Sequence, residues 1–91
     1  MLYAIICTDK PGHLAVRKAN REAHLAHIAS AASAIVQAGP FLDEAGEMCG
    51  SLLIYDAETR AEVEAWCAAD PYAKAGLFQS VEIRAWNRVV G

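Results

Sequence analysis

The side chains in this sequence best suited to chemistry are His24 and Asp70. Asp70 lies in Cys67-Ala-Ala-Asp-Pro-Tyr-Ala-Lys-Ala-Gly76 and is the only acid between Glu64 and Glu82, with Ala, Pro and Tyr around it. A carboxylate among such neighbours needs a partner to stay charged. Pro71 has no N–H to give a helix interior and pushes Asp70 out of the helical region, so the acid is expected at a helix end. The basic group able to reach it is His24, in Arg21-Glu-Ala-His24-Leu25. A carboxylate bonded to one imidazole nitrogen selects the tautomer and leaves the other nitrogen a better base. Spacing alone leaves two readings open, a catalytic pair and a structural one.

Around this pair stand three candidate ligand contacts, Arg21, Ser51 and Tyr72. Arg17, Arg21 and His24 fall at i, i+4 and i+7, along one face of a helix. A guanidinium fork matches a carboxylate-bearing ligand, although Arg17 is expected on an exposed part of that face. Ser51 lies beside Gly50 and has no base next to it in sequence, so a hydrogen-bonding role is expected rather than a nucleophilic one. His24 and His27 form an H-x-x-H pair, but no acid or cysteine stands at a spacing that completes a metal site. Cys7 and Cys49 are expected at opposite ends of parallel neighbouring strands. No metal and no cofactor are expected, and His13 and His27 are expected in solvent or flanking the helix. Trp66 and Trp86 read as core and interface residues.

The elements that must position these groups follow from periodicity. Leu2 to Thr8 is apolar on both alternating faces, which suits a central strand, and Asp9-Lys-Pro-Gly12 is a turn. A helix is expected from about His13 to Gln37, with Leu25, Ile28, Ala32 and Ile35 as its buried stripe and Ala38-Gly39-Pro40 as its stop. Phe41 to Glu44 reads as a short edge strand, Ala45-Gly46-Glu47 as a turn, and Met48 to Asp56 as a second central strand. Thr59-Arg-Ala-Glu62 fits a capping box that opens a helix ending at Asp70-Pro71, with Val63, Trp66 and Cys67 inward. The last strand is expected from about Leu77 to Val89. The order β-α-β-β-α-β predicts a ferredoxin-like α+β fold, an antiparallel sheet with two helices on one face. The bare face still carries apolar residues and is expected to pack on a second copy.

Totals narrow the function classes. The chain has 91 residues, which fits one domain over residues 1–91, and 55% of them are hydrophobic. A net charge of −3 with only eight basic residues argues against nucleic acid as a partner. No apolar run is long enough to cross a bilayer, and Met1-Leu-Tyr-Ala-Ile-Ile lacks a basic leader. Three scattered cysteines read as thiols of a reducing, cytoplasmic compartment.

Taken as an ordered set, Met-Leu-Tyr-Ala-Ile, Arg21-x-x-His24-Leu25, Ala38-Gly39-Pro40, Gly50-Ser51, Ala65-Trp66 and Asp70-Pro71-Tyr72 resemble the YCII-like (YciI-related) proteins across nearly the whole chain. The resemblance implies a subunit that dimerises as an α+β barrel, with a His–Asp pair as active site at His24 and Asp70 and with Ser51 facing the pocket. One relative of that family looks like a dehydrochlorinase acting on a hydroxylated aromatic. The short Asp43-Glu-Ala-Gly-Glu47 segment departs from the longer loop of many relatives. The resulting expectation is a homodimeric acid/base enzyme without cofactor, of lyase or isomerase type, acting on a small organic acid or ring compound. A non-catalytic module that binds a small organic ligand is the alternative.

Overall fold

The structure is a computed structural model that describes residues 1–91. Its elements are β1 (Leu2–Asp9), α1 (Leu14–Ser30), a single 3-10 turn at Ala32–Ala34, β2 (Ile35–Leu42), β3 (Met48–Asp56), α2 (Arg60–Ala68), α3 (Pro71–Lys74) and β4 (Phe78–Trp86). The four strands form one sheet in the order β2-β3-β1-β4, with every neighbouring pair antiparallel. The two strands that are apolar on both faces, β1 and β3, are the central ones.

Because β1 and β3 run antiparallel, Cys7 pairs with Ser51 and Thr8 with Gly50. The expectation that Cys7 and Cys49 lie at opposite ends of parallel strands is therefore wrong, since both sit towards the same end of the sheet. All three cysteines are free thiols.

Tyr3, Ile5 and Cys7 of β1 and Leu53 of β3 meet Ala57 and the α2 residue Val63 in the core, with Trp66, Cys67 and Ile83 packed against it. Thr59 caps α2 as its spacing predicts, its hydroxyl accepting from the Glu62 N–H at 3.4 Å. On the opposite sheet face lie Leu2, Ala4 and Ile6 of β1, each paired across the ladder with Trp86, Arg84 and Glu82 of β4. On β3, Leu52 and Ile54 belong to that same face, and no helix covers it.

The first helix is the largest departure from expectation. It ends at Ser30 instead of Gln37, and Ala32 turns the chain in the left-handed region at φ 52°. The segment Ala38-Gly39-Pro40, expected to stop a helix, is the middle of edge strand β2. Residues 29–34 are small and discriminate weakly between helix and strand, so pairing with β3 from Ile35 onwards decides the boundary. Pro40 is tolerated because β2 is an edge strand. The expected apolar stripe of α1 is only partly its inward face: Ile28 and Ile35 pack against the core, Ile35 now from β2. Leu25 is 46% exposed, whereas the two buried residues of α1 are Arg17 and His24.

Candidate active site

Asp70 is placed by two short-range effects. Helix α2 has already ended at Ala68, and Asp70 adopts extended backbone (φ −62°, ψ 127°) ahead of Pro71. Pro71 then serves as the first residue of α3, where its missing N–H costs nothing. It therefore opens α3 after α2 has already ended. The Asp70 carboxylate caps α3 by accepting the Tyr72 N–H at 2.9 Å. The little helix closes at Gly76, whose φ of +72° suits glycine.

The same carboxylate meets α1. His24 Nδ1 lies 2.9 Å from Asp70 Oδ1 and 3.1 Å from Oδ2, and both residues are buried, at 5% and 3% exposure. An ionised carboxylate only accepts, so Nδ1 carries the proton and donates it, which leaves Nε2 with a lone pair in the neutral ring. Nε2 has no protein partner. The single buried side-chain polar atom without a partner is Trp66 Nε1, so His24 Nε2 is reached from solvent. The imidazole stacks on the Tyr72 ring, with centroids 3.9 Å apart and planes 14° from parallel. Tyr72 is in turn held edge-on by Phe78.

Arg17 is not on an exposed face. It is 2% exposed and forms a two-pronged bond to Asp9, Nε to Oδ2 at 2.6 Å and Nη2 to Oδ1 at 2.9 Å. Nη2 also donates to Ser51 Oγ at 3.0 Å, and the guanidinium lies 4.6 Å from the Tyr72 ring centroid. Burial works against the Arg17 charge, but the bond and charge of Asp9 outweigh it and hold the guanidinium firmly protonated. Burial lifts the Tyr72 phenol above its ordinary range, while Arg17 and Arg21 pull it back. Asp9 ends β1 instead of opening the expected turn. Arg17 and His24, seven positions apart on α1, are its two buried residues, while Arg21 between them stays exposed at the cavity.

These groups line one cavity of about 260 Å³. Arg17, Arg21, His24, Ser51 and Tyr72 supply its polar wall, and Leu25, Ile28, Pro40, Met48 and Leu53 part of its apolar wall. The volume lies just below the range of small-molecule sites, roughly 300–1,000 Å³. Of the five residues singled out in the sequence, His24, Arg21, Ser51 and Tyr72 line the cavity, and Asp70 stands behind His24. His27 does not join them. Its Nε2 donates to the Trp66 carbonyl at 2.9 Å and its ring stacks on Trp66, tying α1 to α2 rather than facing solvent. His13 bonds the Pro11 carbonyl at the surface through Nδ1.

The chain is thus a small ferredoxin-like α+β protein with a buried His–Asp pair beside a cavity of mixed lining. Residues 1–87 match the YCII-related domain, and the chain belongs to that family. It is 33% identical to Protein YciI of Escherichia coli O6:H1, covering 98% of this chain and 99% of the relative. It is 35% identical to an uncharacterised protein of Haemophilus influenzae over the same shares. Among solved structures it resembles the 5-chloro-2-hydroxyhydroquinone dehydrochlorinase TftG of Burkholderia phenoliruptrix AC1100, in complex with 2,5-dihydroxybenzoquinone. That match has 38% identity and a TM-score of 0.89, over 96% of this chain and 94% of the other. An antibiotic biosynthesis monooxygenase-like protein of Bacteroides thetaiotaomicron (TM-score 0.61, 14% identity, covering 99% of this chain and 90% of the other) shares the α+β fold. No helix of the structure is long and apolar enough to cross a membrane.

Proposed function

We propose that this protein is a cofactor-independent acid/base enzyme of the lyase or isomerase type acting on a small oxygen-substituted ring compound. In this reading His24 is the base through Nε2, and Asp70 holds the ring by Nδ1–H and stabilises the imidazolium that forms. The observation that carries the reading is the position of His24. Its partnered nitrogen is buried, and its free nitrogen is open to a pocket that a purely structural pair would not need. The likeness to a dehydrochlorinase supports an elimination. In such a step the base takes a hydroxyl proton from the substrate, and the freed electron pair moves through the ring so that the chlorine-bearing carbon picks up a proton. Loss of a second hydroxyl proton then drives chloride out with its bonding pair, for a net loss of HCl. No external oxidant is required.

The test is chloride release from 5-chloro-2-hydroxyhydroquinone. Wild type is expected to turn it over, and His24→Ala to lose about 100- to 10,000-fold, the usual contribution of a positioned general base. A wild type without turnover, or a His24→Ala variant as fast as wild type, would overturn the reading in favour of a binding module.

A second copy is proposed to cover the bare sheet face. Leu52, Trp86 and Phe41 are each at least 38% exposed. By the strand register they share this face with Leu2, Ala4 and Ile6, an apolar patch in want of a cover.

A further inference from the structure

The direction of one hydrogen bond constrains what the pocket recognises. Ser51 Oγ is 3% exposed as a residue, lines the cavity, and has a single protein partner, Arg17 Nη2. A guanidinium carries donors only, so in this bond the serine oxygen must accept. Its own proton then has no protein acceptor and is free for a ligand. Arg17 cannot turn away to change this, because Asp9 grips it from the other side through two bonds in fork geometry. Asp9 itself is 6% exposed in its side chain and faces the guanidinium, not the cavity.

The rest of the polar wall has the same sign. Arg21 lines the cavity with a second guanidinium, and none of the twelve lining residues is an acid. The one side-chain base on the wall is the free nitrogen of His24. A pocket with donors on one side and a single base on the other suits a ligand with an acceptor oxygen bearing negative charge, near the proton to be removed.

We propose that the pocket recognises an anionic oxygen of its ligand, a phenolate, enolate or vinylogous acid, through the Ser51 hydroxyl, and that the Asp9–Arg17 pair positions that hydroxyl as a donor. Ser51 is the specificity-determining contact. Asp9 and Arg17 are positioning residues. The proposal rests on the pocket being the ligand site, as the proposed function also does, but not on His24 acting as a base.

The experiment measures binding of two rings of the same skeleton. 2,5-Dihydroxybenzoquinone is a double vinylogous acid that ionises below neutral pH, and its dimethyl ether carries no acidic proton. At pH 7, wild type is expected to bind the acid at least about tenfold tighter than the ether. Ser51→Ala is expected to lose roughly 10- to 100-fold for the acid, the range for a hydrogen bond to a charged group, and much less for the ether. Asp9→Asn keeps the shape and loosens the grip on Arg17, so it should reduce the same acid-to-ether ratio, a readout that mere loss of stability would not move. Unfolding midpoints of each variant show that the protein compared is folded. A wild type that binds neither ring or prefers the ether, or a Ser51→Ala variant that keeps the full ratio, overturns the proposal. Chloride release that survives in His24→Ala would instead overturn the proposed catalysis and leave the ratio result standing.

Discussion

Asp70 holds two positions at once, and the two can be separated by substitution. It caps α3 through the Tyr72 N–H and orients His24 through Nδ1. Asn is as good a helix cap as Asp, so Asp70→Asn is expected to keep α3. Asp70→Ala should cost about 1–2 kcal/mol from loss of the cap alone. Turnover should fall steeply in both, because an amide does not stabilise imidazolium and an alanine does not touch it. Urea unfolding beside chloride release tests this. Equal stability of the two variants would show that the cap is not what Asp70 contributes to the fold. The His24–Asp70 pairing was legible in the sequence because an isolated acid next to Ala, Pro and Tyr has few ways to remain charged. The Asp9–Arg17 pair was not legible. An arginine on a helix is usually solvated, and only the register of β1 under α1 shows that this one is buried.

At the scale of elements, the site depends on how closely β3 lies against β1. A β-carbon on Gly50 would run into the backbone carbonyl oxygen of Cys7, which cannot yield without moving a strand. Gly50→Ala is therefore expected to destabilise the protein by about 1–3 kcal/mol, as overpacking of a filled interior does. It should also shift the neighbouring Ser51 away from Arg17. Thermal unfolding and ligand binding measured together would show this, and a variant as stable as wild type would mean that the strands part freely. Strand identities were readable because two-sided apolar runs fit only central strands. The end of α1 was not, since alanine favours helix and the pairing partner of Ile35–Leu42 lies in a distant segment. Pro71 was legible as a break and not as the start of α3, because a four-residue helix leaves no periodicity to read.

For the molecule as a whole, burial of its thiols sets a pH limit. Burial, with the neighbouring Cys67 and Asp70 charges, pushes Cys7 from an ordinary 9.0 up to about 12. Burial, with Asp70 and Glu64, pushes Cys67 up to about 11. The folded chain thus keeps protons that the unfolded chain releases near 9. This contribution to stability is whole below pH 9 and is lost as pH rises through 11 and 12. The unfolding temperature of wild type should fall steadily above pH 9, and less steeply in Cys7→Ala. A flat profile from pH 9 to 11 would contradict the burial of these thiols. The bare sheet face gives a second prediction at this scale. Sedimentation at micromolar concentration should give about twice the 9.8 kDa chain mass. Leu52→Lys, a charge in the middle of that face, should return a monomer. Wild type sedimenting at 9.8 kDa would show that no second copy covers the face.

What the sequence determined by itself was local or periodic. Two-sided strands, a capping box at Thr59, a proline after an acid and a set of family-like motifs fix element types and name His24, Asp70, Arg21, Ser51 and Tyr72. Tertiary structure decided which groups touch. The antiparallel register sets Ser51 opposite Cys7, Arg17 comes down onto Asp9, and Arg17 and His24 pack inward around Tyr72. Those outcomes depend on contacts between residues tens of positions apart. A buried charge offsets its desolvation only when its partner is already in place, which no local pattern records.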